Sequence, residues 1–203
     1  MLGLFLAVIL HEVSHGWIAL QLGDPTAKRQ GRLTLNPIPH IDPVGTILIP
    51  AALIIFQTVF NMGFFIFGWA KPVPIDPSYF KDPERGMLWV GLSGPMTNIL
   101  LFSTAAFLGR LILPLYLNNF LGKNGTFVFE LAKNGMEALV YFLGIFAIIN
   151  TILAAFNLIP IPPLDGSRVL RYFLPYRGKK ILAQLEPYGF MIILALIWLG
   201  GLE

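Results

Sequence analysis

The sequence predicts an all-α integral membrane protein, with four to five transmembrane helices, a re-entrant hairpin and short β-strand segments in the cytoplasmic loops. Three observations lead there. Hydrophobic residues make up 56% of the 203 and charged residues only 12%, where an ordinary soluble domain carries roughly 25% charged. Mean hydropathy is +0.71. The apolar residues also come in runs long enough for a bilayer core, with short polar stretches between them. No internal repeat is visible, so residues 1–203 are expected to form one membrane-embedded domain.

The first helix is expected over residues 1 to 22. Met1 to Leu10 holds no polar side chain and runs straight into His11 without the charged start and small-residue cleavage site of a removable leader. From Gly23 to Pro43 the chain is polar. Within it Arg32-Leu33-Thr34-Leu35 alternates like a short strand, ended by Asn36-Pro37, and its edge could take an extended peptide by strand addition or rest as a loop on the membrane surface.

Val44 to Trp69 is apolar, but Pro50 near its start and Asn61-Met62-Gly63 in its second half suit a segment that turns back before crossing. Lys71 to Arg85 has four prolines and no room for a folded domain. A long helix follows over Met87 to Leu115, where Gly91, Ser93 and Gly94 let another helix come close. Asn98, a polar group at membrane depth, needs a partner there, either in another helix or at an active site. Asn118 to Lys133 reads as a loop, Met136 to Leu158 as a helix, Pro160 to Lys180 as a basic, proline-rich stretch, and Ile181 to Leu199 as the last helix.

Lysine and arginine weigh the topology. With 44–69 re-entrant, one side holds eleven basic residues (28, 29, 32, 71, 81, 85, 168, 171, 177, 179 and 180) against two (123 and 133) on the other. That asymmetry is what cytoplasmic loops show, so both termini are expected outside the cytoplasm. The net charge of +3 sits in these loops without a basic and aromatic stripe, which excludes nucleic acid as a partner. There is no cysteine, so a metal could be held only by imidazole and carboxylate.

The chemistry begins at His11-Glu12-Val13-Ser14-His15. In a helix the two histidines stand on one face one turn apart and can grip one metal ion, with Glu12 placed to take a proton from water that the metal has made acidic. Charged groups in apolar surroundings are costly, at least ~2.5 to 3.5 kcal/mol when unpaired, and so mark function. A two-histidine site needs a third ligand. Downstream, Pro160, Pro162 and Pro163 break the Met136 helix and allow Asp165 to turn inward. Asp165 is the best candidate ligand, the alternative being a turn residue before Gly166. Asn157 could donate to a carbonyl oxygen as it becomes negative, or bond another helix. His40, the remaining histidine, reads as an interfacial loop residue.

His11 to His15 in a membrane helix followed by Asn157 to Gly166 at the end of a later one resembles the site-2 protease family, M50, of intramembrane zinc metalloproteases. Gly94-Pro95-Met96-Thr97-Asn98 and the loop from Leu35 to Thr46 are similar to those of its compact prokaryotic members without PDZ or CBS domains. The resemblance implies one Zn2+ per chain on His11, His15 and Asp165, with Glu12 as general base and Asn157 and Asn98 as substrate-positioning or oxyanion groups. It also implies a transmembrane protein as substrate, unwound before cleavage, with lipid around it and a plasma membrane as the setting. A departure lies at the front. Only ten residues, ~15 Å of helix, precede His11, where members often carry a further helix, so the start is expected to be either truncated or misassigned. Two other classes stand beside this reading. One is a membrane scaffold or chaperone, which has no need of Glu12, and the other is a metal transporter, for which the helices offer few polar residues.

Overall fold

Helix α1, Leu2–Gln21, carries His11 and His15 on its buried face together with Ala7, Ile9, Gly16 and Ala19. It ends where Gly23 takes a φ of 109°, with Asp24 N bonded to Ala19 O and Gly23 N to Leu20 O. This is the left-handed stop for which glycine is suited. The structure is a computed structural model that describes residues 2–60, 68–121, 123 and 125–198.

A short helix α2, Thr26–Arg29, and the turn Ile38–His40 follow. Asp42 then caps a π-helical turn, Pro43–Leu48, by accepting from Val44 N and Gly45 N. The turn continues into α3, Ile49–Phe60, in which no residue is buried. Helix α4, Pro83–Asn119, is capped by Asp82 and runs for 37 residues. Helix α5, Phe127–Asn157, returns beside it, and α6, Asp165–Phe173, and α7, Tyr176–Leu185, follow. A turn at Glu186–Tyr188 leads into α8, Gly189–Trp198.

Among the described residues, four helices are long and apolar enough to cross a membrane: Leu2–Gln21, Pro43–Phe60, Pro83–Asn119 and Val128–Asn157. The chain is an integral membrane protein. Helix α4 is central and packs against α1, α5 and α6. Gly3 lies against Phe142, Phe146 and Ile149, whereas His15 meets Val90 and His11 meets Asn98, so α1 and α5 run in parallel with α4 antiparallel to both. The cores are small, with Ala7, Ala105, Leu143 and Phe146 in one cluster and Ala19, Phe80 and Val90 in another. Residues such as Leu100, Leu111 and Ile145 face outward, as lipid permits.

Several expectations change. Among the described residues there is no strand. At Arg32 to Leu35 the polar groups are taken locally: Thr34 O accepts from His40, Thr34 Oγ1 accepts from Asn36 N and Asn36 Oδ1 accepts from Ile38 N. Pro37 and Pro39 have no N–H to offer a ladder. The re-entrant hairpin is not supported, since Pro43–Phe60 is one continuous helical segment. The turn expected at Asn61-Met62-Gly63 lies outside the described residues. Trp69 N nonetheless bonds Gly45 O, and Lys71 N bonds His40 O. The single helix expected over 181–199 is two, broken at Pro187, and α6 lies in the stretch read only as basic and proline-rich.

Candidate metal centre

His11 and His15 reach inward from the middle of α1, and Gly94 of α4 makes the space for them. A Cβ on Gly94 would lie 2.5 Å from His11 Cε1 and 2.6 Å from both His11 Nε2 and His15 Cε1. The rings stand edge to face, with centroids 4.7 Å apart. Each is held by its Nδ1. His15 Nδ1 donates to Val90 O at 2.7 Å, and His11 Nδ1 lies 2.5 Å from Asn98 Oδ1. Both partners are oxygens that only accept, so the hydrogen of each neutral ring is on Nδ1 and the lone pair of Nε2 points inward.

Asp165 meets them from the other end of the chain. The prolines at 160, 162 and 163 end α5, and the chain re-enters a helix at Asp165 itself, where an anion is favoured by the helix N-terminus. Gly166 permits this, because a Cβ there would collide with the carbonyl oxygens of Leu158 and Ile159. Arg168 Nη1 holds Asp165 Oδ1 at 3.2 Å. The other oxygen, Oδ2, is buried without a hydrogen bond and stands 3.1 Å from the Nε2 of both histidines. The two Nε2 atoms are themselves 3.1 Å apart.

Three buried acceptors at equal mutual distances are three corners of a tetrahedron. Zinc bonds of ~2.0 Å would separate tetrahedral ligands by ~3.3 Å. A proton can satisfy one such contact but not three, whereas one cation among them satisfies all. The donor set therefore fits zinc.

Glu12 stands one residue from His11, with an oxygen within 4.8 Å of a ring nitrogen of each histidine. Its Oε2 accepts from Val73 N at 2.9 Å. Val73 belongs to a strap of chain after Trp69 that Arg32 fastens: the Arg32 guanidinium is buried and donates to Lys71 O at 2.5 Å and Pro72 O at 3.2 Å. Burial lowers the Arg32 pKa from its ordinary value, and the negative charge of Glu12 works against that. A cavity of about 110 Å³ opens onto His11, Glu12, His15, Val73, Asn157 and Asp165.

The structure thus brings together His11, His15, Asp165 and Glu12, with Asn157 on the cavity wall. Asn157 Nδ2 donates to Leu153 O at 2.9 Å. Asn98 is fully buried and turns its amide to His11 and to Asn150. His40 is buried in its loop and holds Thr34 O. Sequence reasoning missed Asn150, Arg32 and Arg168. The signal for Asn150 was available, since a polar residue two helical turns before Asn157 in an apolar helix needs a partner.

The family model of peptidase family M50 matches residues 44–200. The chain is similar to the provisionally named zinc metalloprotease YwhC of Bacillus subtilis, at 37% identity over 193 residues, 95% of this chain and 77% of the relative. It is also similar to the provisionally named zinc metalloproteases Rip2 of Mycolicibacterium smegmatis, 26% identical over 195 residues, and of Mycobacterium tuberculosis, 25% identical over 194. It covers 96% of itself and 64% of each mycobacterial relative. No solved structure matches it significantly.

Proposed function

The chain belongs to peptidase family M50, and from that membership we propose that it is an intramembrane zinc metalloprotease that cuts peptide bonds in or near transmembrane segments of other proteins. Family and relatives favour this over a scaffold that binds helices without cutting them. The observation that best supports the site is the convergence of His11 Nε2, His15 Nε2 and Asp165 Oδ2 at 3.1 Å, with Glu12 on the same cavity. These three side chains would hold the metal. Zinc bound there would supply Lewis acidity for attack by water on the scissile carbonyl.

The protein's own groups do the rest. Glu12, steadied by Val73 N–H, takes the proton of the attacking water and delivers it to the leaving amine. Asn157 donates to the carbonyl oxygen as it becomes negative, and Asn98 holds His11 in place. A helical backbone keeps its carbonyls in its own hydrogen bonds, so the substrate is unwound before it is cut. Helix-breaking residues near the cut favour it.

The cytoplasmic side of a prokaryotic plasma membrane suits the site. The bonds from Trp69 to Gly45 and from Lys71 to His40 keep the basic segments around Arg29 and Lys71 together on the face where α1 ends, and positive loops favour the cytoplasm. Zinc content of the detergent-purified chain tests the centre, and cleavage of a proline-containing transmembrane peptide tests the activity. About one zinc per chain, lost in Asp165→Ala, and cleavage abolished in Glu12→Gln are expected, with one zinc per tetrahedral site. Zinc-free protein never exposed to chelator, or undiminished cleavage by Glu12→Gln, would overturn the reading.

A further inference from the structure

We propose that Asn150 is a positioning residue of the metal centre, which acts through Asn98 to keep the Nε2 of His11 unprotonated and turned toward zinc. Asn150 touches neither metal ligand nor cavity. It lies on α5, fully buried, at the far end of a line of side chains that crosses α4 and ends on α1. The line starts at a backbone carbonyl, because Asn150 Nδ2 donates to Phe146 O at 2.8 Å, one helical turn back.

A carbonyl accepts and cannot donate, so the amide nitrogen of Asn150 faces Phe146 and its oxygen faces Asn98. Asn98 must then donate, and its Nδ2 meets Asn150 Oδ1 at 2.8 Å. That leaves Asn98 Oδ1 for His11 Nδ1 at 2.5 Å, and an amide oxygen requires the hydrogen there. The bare nitrogen is consequently Nε2, the one that faces His15 and Asp165. Reversal of either amide would set donor against donor or acceptor against acceptor with no water to relieve it, since Asn98 and Asn150 are both 0% exposed.

His15 needs no such relay. It meets the Val90 carbonyl directly, whereas His11 lies one turn deeper and obtains the same instruction through two amides. Without Asn150, the Asn98 amide is free to turn over and offer His11 a donor. His11 would then carry its hydrogen on the metal side.

The test is zinc affinity of the full chain in detergent, read by competition with a chromogenic chelator. Asn150→Leu is expected to weaken zinc binding by about 10- to 100-fold, the range for losing an outer partner of a metal-bound histidine, while Asn150→Asp stays within about threefold. A buried aspartic acid in its neutral form donates to Phe146 O and accepts from Asn98 just as the amide does. Asn98→Asp keeps zinc, since a neutral aspartic acid donates its O–H to Asn150 Oδ1 and accepts from His11 through its other oxygen, and adding Asn150→Leu to it costs nothing more, because the carboxylate then left accepts from His11 through either oxygen.

Four results would each overturn the proposal: unchanged affinity in Asn150→Leu, equal losses in Asn150→Leu and Asn150→Asp, failure of Asn98→Asp to bind zinc, or an Asn150→Leu loss as large in the Asn98→Asp background as in the native one. The last is what a merely structural helix contact predicts. The proposal rests on the metal-centre reading, and the failures are separable. A wild type without zinc defeats that reading, whereas a zinc-binding wild type with an indifferent Asn150→Leu defeats only this one.

Discussion

Gly94 carries more of the metal centre than its size suggests. Its missing side chain is the space in which the rings of His11 and His15 meet, and α4 cannot back away because Val90 O and Asn98 on either side hold those same rings. Gly94→Ala is therefore expected to weaken zinc binding by at least about tenfold, measured as zinc retained after dialysis against a weak chelator, and full retention would show that the rings have room to move. Glu12→Gln should separate binding from chemistry. It keeps shape and zinc but cannot take a proton, so cleavage should fall by about 10²- to 10⁴-fold with metal content unchanged. The histidines were legible because a four-residue spacing places them on one helical face, and Asp165 because a proline break precedes it. Asn98 was legible as a polar group in need of a partner, but the partner, 87 residues away, was not.

At the scale of elements, α4 spans ~55 Å at 1.5 Å per residue, well beyond the hydrocarbon core, and its first turn is fastened by Asp82 Oδ1 to Glu84 N and Arg85 N. Asp82→Ala should cost about 1 kcal/mol, seen as earlier thermal unfolding at unchanged zinc content. The strap after Trp69 has a different part. Arg32 holds its carbonyls and Val73 holds Glu12, so Arg32→Leu should let the Glu12 carboxylate drift, with turnover falling by up to about a hundredfold while zinc stays bound. Unchanged turnover would show that the strap needs no fastening. Alternation in Arg32 to Leu35 suggested a strand because period and propensity are local, whereas the bonds that forbid it run to His40. Helix α6 was hidden for a related reason, since three prolines and a basic run look like a loop until Asp165 is seen to start a helix at the metal centre.

Across the molecule, the first helix and the beginning of α6 meet at the two histidines and Asp165, and α4 packs against both. Zinc at about a hundred times its dissociation constant should raise the unfolding free energy by about 2.7 kcal/mol, observed as a higher unfolding temperature that chelation reverses and that Asp165→Ala no longer shows. The outward face answers to lipid instead. Leu100, 66% exposed in the middle of α4, should tolerate phenylalanine, while Leu100→Arg would cost at least ~2.5 kcal/mol on insertion and lower the amount recovered in membranes. By itself the sequence determined that the chain is a membrane protein built mainly of helices, that two histidines share a helix face with a glutamate beside them, and which carboxylate could complete the set. Composition and helical period are properties of neighbouring residues. Only the tertiary structure decided that Asp165 Oδ2 stands 3.1 Å from both rings, that Asn98 faces His11, and that Asn150 stands behind it, because those contacts cross three helices and depend on how closely a glycine lets them pack.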